Sequence, residues 1–280
     1  MIVARTLPDL RAACAALRRT HEAIGLVPTM GALHEGHRML VRRSVASGAA
    51  TVASIFVNPL QFAASEDLGR YPRDEAGDLA ALEAEGCAVA WLPDVATMYP
   101  PDAVTTISLE GPALRWEGDA RPGHFRGVAT VCAKLFGQVG ADRAYFGEKD
   151  WQQLQVIRRM VADLLLPLEI VPVETVREPD GLALSSRNRF LSPEERRRAP
   201  RLFAVLQDCV RGLTAGEDAE ALLTQGAARL RADGFTPDYL ALVDGPSLAP
   251  IATAAPDARL IAAGRLGTVR LLDNVGLSAA

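Results

Sequence analysis

Residues 27–40 read VPTMGALHEGHRML, and their reading decides the fold. The apolar run AIGLV, residues 23–27, leads into Pro28, Thr29 and Met30; Gly31 and Gly36 follow, with His34 and His37 between and after them. An apolar run that ends in turn residues reads as a buried strand bending sharply into a helix. A helix that begins near Gly36 turns His34 and His37 to the same side of its N-terminus, because residues three apart share a face. Free N–H groups and the helix dipole make that end a site for phosphate. The two imidazoles add donors there. Two other readings stand beside this one: loop and surface histidines, or two metal ligands on one helix. Zinc requires three or four protein ligands, and only His21 and His124 remain to supply them.

Working outward, residues 1–5 read as a short strand and Leu7–Thr20 as a helix with Pro8 and Asp9 in its first turn. The helix after Gly36 runs to about Ser47, where Gly48 ends it. ATVASIFVN then has the β-branched character of a fully buried parallel strand, so β-α-β with a right-handed crossover is expected. Asn58 and Gln61 leave the C-terminal end of that strand, where open parallel sheets bind ligands; turn chemistry at Asn58-Pro59 is the bland alternative for Asn58. Tyr71–Asp74 leads into a helix to about Glu85, and Cys87–Leu92 is a further strand. Residues 93–122 are an excursion with a strand expected at Val104–Leu109. RPGHFRGVATVCAKLFGQVG then becomes a helix to about Val139, with Phe125, Val128, Val131, Leu135 and Phe136 as its core stripe. His124, Arg126 and Lys134 are read as solvent-facing or as ligand contacts, the surface reading being preferred for His124.

Asp142–Phe146 is the next strand, and Gly147, Glu148, Lys149 and Asp150 open directly into a helix over Trp151–Leu165. Lys149 at that turn is a point charge for phosphates, and Gln153 lies one turn into the helix. Leu168–Val173 is another strand. Beyond it, Ser185, Ser186 and Arg187 form an anion clamp at an expected hinge, and Ser192-Pro193-x-Glu195 is a capping box. Two helical patterns near 193–211 and 217–233 precede β-rich runs, the last two joined near Leu266 and Gly267 as an antiparallel hairpin. The expectation is an α/β protein: a Rossmann-like, doubly wound parallel sheet over 1–182 and a smaller α+β lid domain over 183–280.

The length of 280 residues and the 49% hydrophobic content support a sizeable core, and a net charge of -4 gives no global attraction for nucleic acid or anionic membrane. Cys14, Cys87, Cys132 and Cys209 show no C-x-x-C pairing and fit small buried hydrophobes in a reducing cytoplasm. No apolar run reaches the ~18 residues of a membrane span, so a cytoplasmic protein is expected.

Taken together, PTMGALHEGH, SIFVNPLQF, RPGHFRGV, FGEKDWQQL and LSSRNRFLS, in order from residue 28 to 192, resemble the blocks of the pantothenate synthetase family. These are the pantoate–β-alanine ligases of the HIGH-motif nucleotidyltransferase superfamily. The resemblance implies a homodimer that joins pantoate to β-alanine through pantoyl adenylate, with ATP as substrate and Mg²⁺ as its companion. It assigns Met30, Gly31, Ala32, Leu33, His34, Glu35, Gly36 and His37 to ATP, with both histidines against the phosphates and His37 as proton donor. Gly147, Glu148, Lys149, Asp150, Val176, Leu184, Ser185, Ser186 and Arg187 complete the ATP contacts, and His34, His37, Lys149 and Arg187 form the catalytic group. Gln61, Gln153 and Asn58 fall to pantoate and β-alanine, and Asp78 is the candidate metal ligand. Leu184 stands where the family commonly has methionine, a change of similar volume. Two other functions use comparable parts: a nucleotidylyltransferase acting on a phosphorylated coenzyme precursor, and a non-catalytic nucleotide-binding regulator.

Overall fold

The computed structural model describes residues 1–62 and 68–277. Strand and helix alternate as β1 (Ile2–Ala4), α1 (Leu7–Leu17), β2 (Ile24–Thr29), α2 (Glu35–Ala46), β3 (Ala50–Ile55), α3 (Glu75–Ala84) and β4 (Val89–Trp91). Two short helices, α4 (Val95–Met98) and α5 (Glu117–Ala120), precede α6 (His124–Val139), β5 (Arg143–Gly147), α7 (Trp151–Asp163) and β6 (Glu169–Val173). The six strands form one sheet in the order β1-β4-β3-β2-β5-β6, and every pairing is parallel.

Strand periodicity sorts the core onto the two faces of this sheet. Ile24, Leu26, Val52, Val89 and Trp91 meet Leu10 of α1, Val128 and Leu135 of α6 and Ile157 of α7. Val27, Ala53 and Ala90 face the other way, onto Leu40 and Val41 of α2 and Leu82 of α3. The strand order reverses between β2 and β5. A sheet that winds in opposite directions from two neighbouring strands leaves a crevice at their carboxyl ends, and the β2–α2 and β5–α7 turns are the two that border it.

After β6 come α8 (Pro193–Arg198), α9 (Arg201–Thr214), α10 (Ala219–Ala232) and the antiparallel strands β7 (Phe235–Asp244), β8 (Ala258–Leu266) and β9 (Val269–Gly276), in the order β7-β8-β9. Leu202, Leu206, Leu230, Phe235, Leu260 and Leu271 belong to a separate apolar cluster. Polar bonds tie this sheet to the first: Trp151 Nε1–H donates to the Gly245 carbonyl at 2.8 Å, and Arg270 pairs with buried Glu117 at 2.5 Å.

Two expectations change. The single helix over 193–211 is two, because Pro200 lacks the N–H that would continue the hydrogen-bond ladder from α8. Val104–Leu109 forms no strand: the Ile107 N–H donates to Thr130 Oγ1 of α6, a side chain in place of a ladder partner. The helix expected near Gly36 is present and starts at Glu35, with His34 as its N-cap. All four cysteines are buried and unpaired, and no helix among the described residues is long and apolar enough to cross a membrane.

Candidate active site

The β2–α2 turn is held in shape from below. Gly31 (φ 82°) and Ala32 (φ 51°) both lie in the left-handed region, which glycine tolerates and alanine does not favour. Asp78 of α3 compensates: its carboxylate accepts the Ala32 N–H at 2.9 Å and the Leu33 N–H at 2.7 Å. A Cβ on residue 31 would stand 2.8 Å from Asp78 Oδ2, so glycine is needed for close approach as well as conformation. Burial raises the Asp78 pKa, and the two amide donors offset part of that rise. Each carboxylate oxygen accepts one backbone N–H, so in this structure Asp78 acts as a clamp on the β2–α2 turn. Among the described residues no three His, Cys, Asp or Glu side chains cluster as a metal site.

His34 and His37 lock each other. The Gly36 N–H donates to His34 Nδ1 at 3.2 Å and the His34 N–H donates to His37 Nδ1 at 3.3 Å. Because each Nδ1 accepts, each neutral ring carries its proton on Nε2. The ring centroids are 4.1 Å apart. Burial lowers the His34 pKa to about 4, with Lys149 adding to the effect, and burial followed by the charge of His34 lowers that of His37 to about 3. At neutral pH the helix start therefore presents two uncharged Nε2–H donors.

The β5–α7 turn forms the facing wall. Lys149, with an 18% exposed side chain, lies 3.5 Å from the Asp150 carboxylate. Burial would raise the Asp150 pKa, but Lys149 and Arg187 outweigh it and the carboxyl sits below its ordinary value. Leu184 pairs its N–H with the Val176 carbonyl at 3.0 Å, bringing the Ser185–Arg187 segment across the crevice. The resulting cavity of about 190 Å³ is lined by Met30, Gly36, both histidines, Gln61, Gly147, Lys149, Asp150, Gln153, Val176 and Leu184–Arg187. A cavity of about 340 Å³ adjoins it, shares Phe62, Tyr71, Arg121 and Lys149, and reaches β9.

Gln61 is positioned by a buried network. Asn58 is 0% exposed and donates to Gln61 Oε1 at 2.9 Å and to the Gly127 carbonyl at 3.1 Å, while Tyr99 O–H donates to Asn58 Oδ1 at 2.8 Å. Helix α6 approaches so closely that a Cβ on residue 127 would lie 2.1 Å from the Leu60 carbonyl oxygen. His124 Nδ1 is 3.0 Å and Arg121 Nη2 is 3.3 Å from the Gln61 carbonyl.

The geometry thus revises several sequence assignments. Asn58, expected at the substrate, lies beneath the site and supports Gln61. His124, preferred as a surface residue, is buried against the cavity wall, because Gly123 at φ 82° turns the start of α6 onto the Asn58–Gln61 segment. Glu35 pairs with Arg42 and Arg38, and Glu148 faces Arg259, so these two side chains turn away from the cavity. Gly31, Ala32 and Leu33 shape the turn without lining the cavity. Tyr71, Phe62 and Arg121 line it without having been assigned a role. Arg121 was legible inside the RPGHFRGV block; Tyr71 had no local signal and joins the site through a hydrogen bond to Ser186.

Fold and site together define an α/β protein with a phosphate-type cradle at the switch point of a parallel sheet. The pantoate–β-alanine ligase family model matches residues 2–276, and the chain belongs to that family of enzymes. A pantothenate synthetase from Granulibacter bethesdensis is 60% identical over 278 residues, 99% of this chain and 97% of that protein. The crystal structure of pantothenate synthetase from Thermus thermophilus superposes with a TM-score of 0.93 at 49% identity, covering 99% of each chain. A pantoate–β-alanine ligase from Francisella tularensis, complexed with β-γ ATP and β-alanine, matches with a TM-score of 0.84 at 30% identity, covering 100% of this chain and 99% of that one.

Proposed function

We propose that this enzyme condenses (R)-pantoate with β-alanine at the expense of ATP, through a pantoyl-adenylate intermediate, releasing AMP and pyrophosphate. One observation carries the reading: two neutral imidazole donors, Lys149 with Arg187, and the uncharged amides of Gln61 and Gln153 all line a single cavity. Attack of a carboxylate on the α-phosphate needs two anions aligned and growing negative charge stabilised. Lys149, Arg187 and the Nε2–H groups of His34 and His37 are the donors for that charge. With a pKa of about 3, His37 acts in the free enzyme as a hydrogen-bond donor and not as an imidazolium acid. Gln61 and Gln153 bind pantoate through hydrogen bonds that add no charge, and Gln61 also borders the β-alanine position. The second step is attack of the neutral amine on an already activated acyl group, for which no protein nucleophile is required. The Francisella relative's complex with β-γ ATP and β-alanine supports ATP and β-alanine as ligands of this enzyme.

Mg²⁺ enters with the incoming nucleotide as part of the substrate, and Asp78, whose oxygens each accept one backbone N–H, keeps lone pairs that could reach it. The division into a catalytic unit over 1–182 and a lid over 183–280 is supported by the two separate apolar clusters. Homodimer formation is proposed from membership of the family. A cytoplasmic location follows from the same biosynthetic reading.

The decisive assay is exchange of labelled pyrophosphate into ATP. It should require pantoate and proceed without β-alanine, whereas net AMP release should require both. Dinucleotide formation from a phosphorylated precursor without AMP would establish a nucleotidylyltransferase, and ATP binding without pantoate-dependent exchange would establish a regulator.

A further inference from the structure

The Lys149 turn is held from both sheets. Glu148–Asp150 follows Gly147, the last residue of β5, which anchors it to the six-stranded sheet. The second anchor comes from β9. Asn274, 4% exposed, donates through Nδ2 to the Glu148 and Lys149 carbonyl oxygens, each at 2.9 Å. Its Oδ1 accepts from Arg259, whose guanidinium carbon lies 3.4 Å from the centroid of the Trp151 ring and whose Nη2 is 3.6 Å from the Glu148 carboxylate. The Asn274 N–H donates to Asp273 Oδ1 at 2.8 Å, and Asp273 forms a two-pronged pair with Arg177 at 2.6 and 2.8 Å.

The chemistry of this junction selects asparagine. Two carbonyls need two N–H donors and Arg259 needs an acceptor, and a primary amide supplies both from one planar group. An aspartate would keep the shape while setting a carboxylate against two carbonyl oxygens. An aliphatic side chain would leave two buried carbonyls without their donors, a cost that falls on the turn itself.

We propose that Asn274 is a positioning residue for Lys149. It fixes the backbone of the turn from the three-stranded sheet, and placement of the lysine ammonium in the cavity therefore depends on how that sheet is docked. This inference rests on the phosphate-directed role of Lys149 proposed above. It does not require Asn274 to touch a substrate.

The test uses the full chain in four forms: wild type, Asn274→Asp, Lys149→Ala and the double variant. Pantoate-dependent pyrophosphate exchange and amide hydrogen exchange of the 147–153 segment are measured on each. Asn274→Asp should lower kcat at least about tenfold, the scale of a small misplacement of a catalytic group, while leaving the pantoate KM unchanged. On the Lys149→Ala background the same substitution should cost less than about twofold, since residues acting through one another are non-additive. Amide exchange over 147–153 should accelerate in Asn274→Asp and stay at wild-type rates in the β7–β8 pair. Unchanged exchange over 147–153, or an undiminished activity loss on the Lys149→Ala background, would overturn the proposal. If Asn274→Asp does not fold, Asn274→Ser removes the reach without adding charge and is read by the same two measurements. Hydrogen exchange decides the anchoring even if wild-type protein shows no pantoate-dependent pyrophosphate exchange, so failure of the functional reading is recognised separately.

Discussion

Acidification should unfold this protein through its paired imidazoles. His34 and His37 have ordinary values of 6.5 and are lowered to about 4 and about 3 in the folded chain. The sign follows from proton counting. Below pH 6.5 the unfolded chain takes up protons that the folded chain refuses, so stability is fully present above 6.5 and is lost as pH falls towards the folded values. At 1.36 kcal/mol per pKa unit, each imidazole costs about 2 kcal/mol at pH 5, or about 4 kcal/mol for the pair. That is a large share of the ~5–15 kcal/mol available to a typical domain. The assay is denaturant unfolding of wild type and of His34→Gln/His37→Gln at pH 7.5, 6 and 5. The wild-type stability should fall more steeply by about this amount, and the non-titrating variant should lack that component. In parallel, the imidazole carbon-bound proton resonances of His34 and His37 should stay at their neutral positions down to pH 5, with nitrogen shifts reporting the Nε2–H tautomer. Parallel stability profiles in the two proteins, or titration of either ring near 6.5, would refute both the burial argument and the neutral-donor role.

Lys149→Ala should lower pantoate-dependent pyrophosphate exchange at least ~100-fold with the unfolding midpoint little changed, as expected for loss of a charge-stabilising donor; near-normal exchange would remove Lys149 from the chemistry. Asp78→Asn should destabilise by about 1–3 kcal/mol in urea unfolding, because one of two buried backbone N–H groups loses its acceptor. Measured Mg²⁺ dependence of the exchange reaction should be the same in that variant as in wild type if Asp78 is not a metal ligand. Asn58→Ala should cost about 1–3 kcal/mol by removing the acceptor of the Tyr99 O–H, and it should raise the pantoate KM through a misplaced Gln61; an unchanged pantoate KM would separate Asn58 from the site.

The parallel α/β core was legible because its signals are local. Apolar runs such as ATVASI have the length and β-branching of buried strands, and the glycines at 31, 48 and 86 stand at turns of positive φ. The segment Val104–Leu109 has the composition of a strand, yet strand formation needs a neighbour with free backbone groups, and none lies beside it within the described chain. His124 was misread for a related reason: composition near a helix start does not say which wall the helix is pressed against.

By itself the sequence determined the order of elements, the two turns at the sheet's switch point and the residue types that border the crevice, since periodicity and turn chemistry act over a few neighbouring positions. Only the tertiary structure decided what those residues do there. The proton positions on His34 and His37 depend on which backbone N–H groups reach each Nδ1, and their neutrality depends on burial by distant elements. Asn58 became a support and Asp78 a backbone clamp because their polar atoms bond to α6, Tyr99 and the β2–α2 turn. Asn274 lies 125 residues from Lys149 in the chain, and no local pattern joins them; hydrogen bonds satisfied across two sheets do.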